Sequence, residues 1–275
     1  MNKLSIRNTA MDAWAIFMIA INLAMRPNQT VGGLPVKVVV FASSKGGVGK
    51  TTLAFNAAIH ASKTAAVQMA DRDPQRSLVE LCRRRHGTPE LKADNPQMLD
   101  GVETVASAID VLEQSGYARD FLIVDTPGSF MDIVSEAVAV ADVVVLPIRP
   151  SPFDLLAMTA VLDIVRALGK EDRMLFVLNM VDARSDLTAD ALKAIRPLSP
   201  NQPVQIANRT DYARAPITAR AGIEINRDAA AEIGVLWDAI TRIAKRVGKN
   251  DGKKVYGKSR GSAAGRARRA RSPRG

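Results

Sequence analysis

The chain has 275 residues, 47% apolar but only 4% aromatic, so Val, Ile, Leu, Ala and Met must fill a core large enough for one α/β domain with tails or for two small domains. One cysteine, Cys82, cannot close an internal disulfide and cannot by itself supply a zinc or iron–sulfur site; it reads as a small, partly buried helix residue, with a reactive thiol as the alternative. The net charge of +10 is uneven: Arg242 to Gly275 holds thirteen Lys/Arg against the single acid Asp251, which leaves the rest at −2 and makes the basicity a property of the tail.

In chain order, residues 1–35 precede the first clear strand. Ala13 to Ile21 is an apolar run that extends, with one Asn, to Met25, too short for the ~20 apolar residues of a bilayer span. Lys3 and Arg7 ahead of it mimic a signal peptide, a reading set aside because the motif that follows needs cytoplasmic ATP. A docked helix, an extension of uncertain order and a membrane-touching helix stay open.

Val36 to Ala42 reads as a buried strand, Ser43 to Lys50 as a glycine-rich loop and Thr51 to about Lys63 as a helix. A strand over Ala65–Ala70 ends at Asp71. A helix over Pro74–Arg85 opens with proline in its first turn, and 87–100 reads as loop. The pattern continues with a helix over Val102–Gln114, a strand over Phe121–Val124 ending at Asp125, a helix over Asp132–Val140, and a strand over Val143–Leu146 ending at Pro147. A helix over Phe153–Leu168, a strand over Met174–Leu178 ending at Asn179, a helix over Leu187–Ile195 and a short strand over Val204–Ala207 follow. The last helix, Asp228–Val247, carries Ile233, Leu236, Trp237, Ile240, Ile243 and Val247 at helical spacing. Strands alternating with helices predict a single doubly wound, mostly parallel sheet flanked by helices. Three segments result: an extension of uncertain order (1–35), the α/β domain (36–248), and a basic, disordered tail (249–275) with too little apolar bulk to fold alone.

The chemistry is concentrated in Lys45-Gly46-Gly47-Val48-Gly49-Lys50-Thr51-Thr52. Glycines let backbone N–H groups converge on an anion, and the helix that follows adds its positive N-terminal end. Lys50 belongs against the β- and γ-phosphates of ATP, and the Thr51 hydroxyl on Mg²⁺. A strand before, a helix after and an intact Gly49-Lys50-Thr51 together point to a P-loop nucleoside triphosphatase. Asp125, at the carboxyl end of a strand, faces the ligand crevice of such a sheet.

The common form of this loop has glycine where Ser44 stands; here Lys45-Gly46-Gly47 brings a second lysine. That pattern resembles the deviant P-loop of the ParA/MinD family of ATPases. So do Asp71-Arg72-Asp73-Pro74-Gln75, Phe121 to Pro127, and Val144 to Asp154. The resemblance runs from about Val36 to Val247. It implies that Lys45 reaches across a dimer interface to the partner's ATP. It also implies that Asp73 positions the attacking water, with Asp71 toward the metal's outer shell and Asp125 holding the hydration shell of Mg²⁺. Thr126-Pro127-Gly128 becomes a switch loop, Asn179 resembles the family's adenine-reading Asn, and Asn208-Arg209 through Gly222 resembles the segment near the base and the DNA-facing surface. Arg72 departs from the family, where an apolar or small residue is commoner. The plain alternatives remain: two carboxylates capping a helix at Asp71 and Asp73, and a strand-end turn at Asn179.

The resemblance further implies a cytoplasmic, nucleoid-associated ATPase that forms a homodimer with ATP and binds DNA non-specifically. A ParB-like or cargo-adaptor protein would stimulate its hydrolysis, so that it partitions or positions a chromosome, plasmid or protein cargo. One cysteine excludes a nitrogenase iron protein, which needs two. The tail has no apolar face, which argues against stable membrane insertion of the MinD kind. Residues 1–35 are too few for the helix-turn-helix domain of larger ParA proteins. The tail reads as a flexible polycation for phosphate backbones, with a solubilising role or an anionic membrane surface as alternatives; Arg209, Arg214, Arg220 and Arg227 are candidates for a folded DNA patch. The competing function is a nucleotide-gated adaptor acting on a protein partner.

Overall fold

A computed structural model describes residues 36–91, 95–116, 119–182 and 184–262, with side chains described as far as Gly248. Seven strands form one sheet in the order β3-β2-β4-β1-β5-β6-β7, and every strand pair is parallel. They are β1 (Lys37–Phe41), β2 (Val67–Asp71), β3 (Gln97–Leu99), β4 (Phe121–Asp125), β5 (Val143–Ile148), β6 (Met174–Val181) and β7 (Val204–Ala207). The helices are α1 (Lys50–Ala61), α2 (Ser77–His86), α3 (Val105–Gln114), α4 (Met131–Val140), α5 (Pro152–Ala157), α6 (Thr159–Ala167), α7 (Asp186–Ile195), the single turns α8 (Thr210–Ala213) and α9 (Ala215–Thr218), and α10 (Arg227–Ser262).

The expected doubly wound sheet is therefore present. Its logic is visible in β1, which is apolar at consecutive positions because both faces are covered. Val39 and Phe41 point into a layer shared with α1, α2 and α10. Val38 and Val40 point into the opposite layer, with α3, α4 and α6. β1 lies between β4 and β5, so the chain turns one way through α1 toward β2 and the other way toward β5. In open α/β sheets a ligand crevice lies outside the carboxyl ends at such a reversal.

The apolar stripe of α10 packs as its spacing predicts: Ile233, Leu236, Trp237, Ile240, Ile243 and Val247 are all buried. Trp237 meets Phe121 edge-to-face, with ring centroids 4.7 Å apart at 68°. The helix itself continues past Gly248 to Ser262, so residues 249–262, expected to be disordered, are a continuation of α10. A docked helix has already met the cost of nucleation, and Lys and Arg are good helix formers. The expectations for residues 1–35 and for 263–275 lie outside the described residues. Among the described residues no helix is long and apolar enough to cross a membrane.

Four elements differ from the pattern in the sequence. β3 lies in the segment expected to be loop; three residues beside a proline are too short to show a period. Pro74 does not open a helix: Arg76 is left-handed (φ 53°) and α2 begins at Ser77. β5 runs through Pro147. Val145 accepts from the Ala42 N–H at 3.0 Å, so Pro147, two residues on, faces the same side beyond the end of β1, where its missing N–H costs no ladder bond. The expected helix Phe153–Leu168 is two helices. Ser44 donates its hydroxyl to the Ala157 carbonyl, and the Val161 N–H bonds to Met158 instead, which breaks the ladder.

An ion pair between the buried Arg85 and the partly exposed Glu224 ties the segment after β7 to α2. Arg85 is 4% exposed and binds Glu224 through two hydrogen bonds of 2.7 and 2.8 Å. Removing Glu224 leaves the buried Arg85 guanidinium without its counter-charge. Glu224→Ala is expected to destabilise the fold by about 3 kcal/mol, read as a lowered midpoint in chemical denaturation followed by circular dichroism.

Candidate functional site

The glycine-rich loop joins β1 to α1 at the reversal point. Gly47 and Gly49 have φ of 75° and 94°, a region closed to most side chains. At Gly49 there is no room either, since a Cβ would lie 2.3 Å from the Asn179 amide nitrogen. Asn179 is buried and donates from Nδ2 to the Val48 carbonyl at 2.8 Å, fixing the loop from below. Val48 points into the core. A second close approach comes from the 126–130 loop: a Cβ on Gly128 would lie 2.7–2.9 Å from the Lys45 and Gly46 backbone.

Above this loop lies a cavity of about 430 Å³. Gly46, Gly47, Gly49, Lys50, Thr51 and Thr52 form its floor, Asp73, Pro74, Gln75 and Ser77 one wall, and Pro127 to Phe130 with Met180 the remainder. Lys50 is 6% exposed and donates from Nζ to the Lys45 carbonyl at 3.0 Å. Burial lowers its pKa, while the carboxylates of Asp125 and Asp73 act in the opposite sense. Asp125 is fully buried. Its Oδ2 accepts from the Thr51 hydroxyl at 2.5 Å, and its Oδ1 is buried without a hydrogen-bond partner. Burial pushes the Asp125 carboxyl up to about 7 against the pull of Thr51, with Asp71 adding to the rise.

Asp71 lies opposite Asp125 in the β2–β4 register. Its Oδ1 accepts from the Asp73 N–H at 3.0 Å, and its Oδ2 from Leu78 and Val79 at 2.9 and 3.1 Å, so it caps α2. Asp73 reaches the cavity, and its Oδ1 accepts from the Gln75 N–H at 3.0 Å. Lys45 turns away from the cavity and pairs with Asp154 of α5. Arg149 holds the same carboxylate at 2.7 and 3.2 Å. Burial opposes the ionisation of Asp154, yet these two cations keep its pKa below the ordinary value.

Residues 39–221 match the CobQ/CobB/MinD/ParA nucleotide binding domain. The chain belongs to this family. A carboxysome-distribution maintenance protein A from Halothiobacillus neapolitanus is 27% identical over 207 residues, covering 72% of this chain and 94% of that protein. Two solved structures share the fold. A complex of a Cyanothece McdA variant with ATP has a TM-score of 0.60 at 21% identity, covering 76% of this chain and 98% of the other. The pNOB8 ParA bound to nonspecific DNA has a TM-score of 0.54 at 18% identity, covering 78% and 99%.

In this ParA/MinD-family chain the fold thus gathers Gly46, Gly47, Gly49, Lys50, Thr51, Thr52 and Asp73 around one cavity, with Asp125 beneath. Lys45, Asp71, Asn179 and Arg209 have other partners. Arg209 is not in the lining and pairs with Glu232 at 2.8 Å and Asp228 at 3.5 Å. Met180, Gln75, Ser77 and Phe130 line the cavity without having been expected there; the left-handed backbone of Met180 (φ 57°), where β6 shifts register against β7, has no sequence signal. Asn56, fully buried, donates to Thr52 O at 2.8 Å and accepts from the Ile223 N–H at 3.3 Å, tying α1 to the late segment. An asparagine in an otherwise apolar helix run was the available hint.

The raised pKa of Asp125 has a thermodynamic consequence. In the unfolded chain the group ionises at ~4, so the folded state holds a proton the unfolded state has lost. Stability of the nucleotide-free protein therefore falls as pH rises from ~4 to about 7. Asp125→Asn is expected to melt higher than the parent at pH 8 and near it at pH 4.5, in thermal unfolding without nucleotide or metal.

Proposed function

We propose that the protein is a ParA-like ATPase that dimerises on ATP, binds DNA non-specifically and positions or partitions a cargo. The observation that carries this reading is the pairing, at one glycine loop, of a buried Lys50 in the cavity with a second lysine, Lys45, held outside it by Asp154. One lysine serves the protein's own nucleotide; the other, outside the cavity, serves a second site.

ATP seats its phosphates on the N–H groups of the loop and the N-terminus of α1, with Lys50 on the β/γ side. Thr51 and Asp125 fit Mg²⁺: they are hard oxygen donors at the cavity floor, and the buried Oδ1 of Asp125 lacks a partner. When bound, the ion neutralises phosphate charge. Asp73 orients the water that attacks the γ-phosphorus, and ADP leaves with the bridging oxygen. Asp71 supports Asp73 by fixing the turn between them. Phe153 and Leu156, 76% and 68% exposed on the helix that holds Lys45, suit a second copy of the chain. Arg214, Arg220 and Arg227 are exposed and suit phosphate backbones, as does the basic tail; Arg209, with two acidic partners, contributes less. The likeness to a carboxysome-distribution protein and to a DNA-bound ParA supports a positioning role. A partner that stimulates hydrolysis completes the cycle.

Lys50→Ala is expected to abolish binding of a fluorescent ATP analogue. Lys45→Ala keeps that binding but stays monomeric with ATP in light scattering; a normal dimer refutes the role of Lys45. For DNA, the full chain and a chain ended after Gly248 are titrated onto long random-sequence duplex at fixed salt, with ATP, ADP or neither. ATP-dependent binding of the shortened chain is expected. Binding that ignores nucleotide, or is lost with the tail, removes the ATP-switched clamp and leaves an adaptor for a protein partner.

A further inference from the structure

Arg72 stands between the two carboxylates of β2's carboxyl end, and its N–H donates to the Asp125 carbonyl at 2.9 Å. Its side chain joins two further elements. Nη1 donates to the Val102 carbonyl, ahead of α3, at 3.0 Å. Nε faces Glu136 Oε2 of α4 at 4.0 Å, with side-chain exposures of 16% and 18%. The other oxygen of Glu136 accepts from the Val105 and Ala106 N–H groups at 2.8 and 3.4 Å, holding α3 to α4.

Two features set this pair apart from an ordinary ion pair. Arg72 Nε and Glu136 Oε2 are both buried and both lack a hydrogen-bond partner, although they face each other about 1 Å beyond hydrogen-bond range. Buried donors and acceptors are otherwise nearly always satisfied. In addition, α4 is the direct continuation of the 126–130 loop, whose Pro127 to Phe130 line the cavity. A shift of α4 by about an ångström closes the pair, and the same shift moves the loop that lies against the phosphate site.

We propose that Arg72 is a positioning residue: closure of its Nε onto Glu136 couples the 126–130 loop to the Asp71–Asp73 turn and sets Asp73 for hydrolysis. This rests on the assignment of the attacking water to Asp73. Neither Arg72 nor Glu136 lines the cavity, so loss of the pair acts on turnover and spares binding.

The test measures ATP hydrolysis by the full-length protein at saturating long DNA, with fluorescent-ATP-analogue affinity and melting temperature recorded for each variant. Arg72→Ala and Glu136→Gln are each expected to lower kcat about tenfold with nucleotide affinity within about twofold of the parent. The double variant matches the single ones, Arg72→Lys recovers part of the rate, and Arg72→Ala adds no loss in an Asp73→Ala background. An unchanged kcat, a parallel loss of nucleotide affinity, or multiplied losses in the double variant overturns the coupling. If Glu136→Gln fails to fold, the three Arg72 comparisons decide. Normal turnover by Asp73→Ala overturns the water assignment itself; an inactive Asp73→Ala beside a fully active Arg72→Ala overturns the coupling alone.

Discussion

The edge of the sheet is organised by one electrostatic constraint: an ammonium and a carboxylate, Lys50 and Asp125, are taken out of water together. Each makes its hydrogen bond elsewhere: Lys50 donates to the Lys45 carbonyl and Asp125 accepts from the Thr51 hydroxyl. Neither charge is neutralised by direct contact, so each is held at a cost that a phosphate and a divalent ion can relieve. The scaffold must be stiff enough to bear it. Hence β1 and β4 are buried on both faces beyond their first residues, Thr126 is tied to the Phe41 carbonyl at 2.9 Å, and Asn179 and Gly128 close on the loop from two sides. A cavity lined in this way is a preorganised site, and the preorganisation is what a phosphoryl-transfer catalyst needs in place of covalent chemistry.

The part of this site legible in the sequence is the part built by local backbone. Glycines followed by Lys50 and Thr51 state the anion nest within eight residues, and Asp125 declares itself by closing an apolar strand. The central strands were legible for the same reason: residues buried on both faces form unbroken apolar runs. What was not legible depends on meetings across the chain. No local pattern says that Ser44 will take the Ala157 carbonyl and split a helix, or that Arg85 will find Glu224. Pro147 looked like a strand end because proline lacks a donor; only the neighbouring strand's length shows that the donor was not needed there.

The two acidic residues at the carboxyl end of β2, Asp71 and Asp73, show how one local motif can divide its labour. The sequence allowed a helix cap or a metal-and-water role for both. In the fold Asp71 has three backbone N–H donors and serves as the cap, while Asp73 projects into the cavity beside Lys50. The cap is what makes the projection dependable: with the turn fixed at Asp71, Asp73 has little backbone freedom left to lose, which is what the water-orienting role proposed for it would require.

Lys45 follows the same rule of paired charges from the other direction. Asp154 is almost wholly buried and carries two cations, Lys45 and Arg149. Stripping a buried carboxylate of its last counter-charge is expensive, and a second cation guards against that. Arg149, with its two hydrogen bonds to Asp154, stays whichever way Lys45 points. If Lys45 leaves for a second site, as its proposed role requires, Asp154 therefore keeps one counter-charge, and α5, which holds Asp154, presents exposed Phe153 and Leu156.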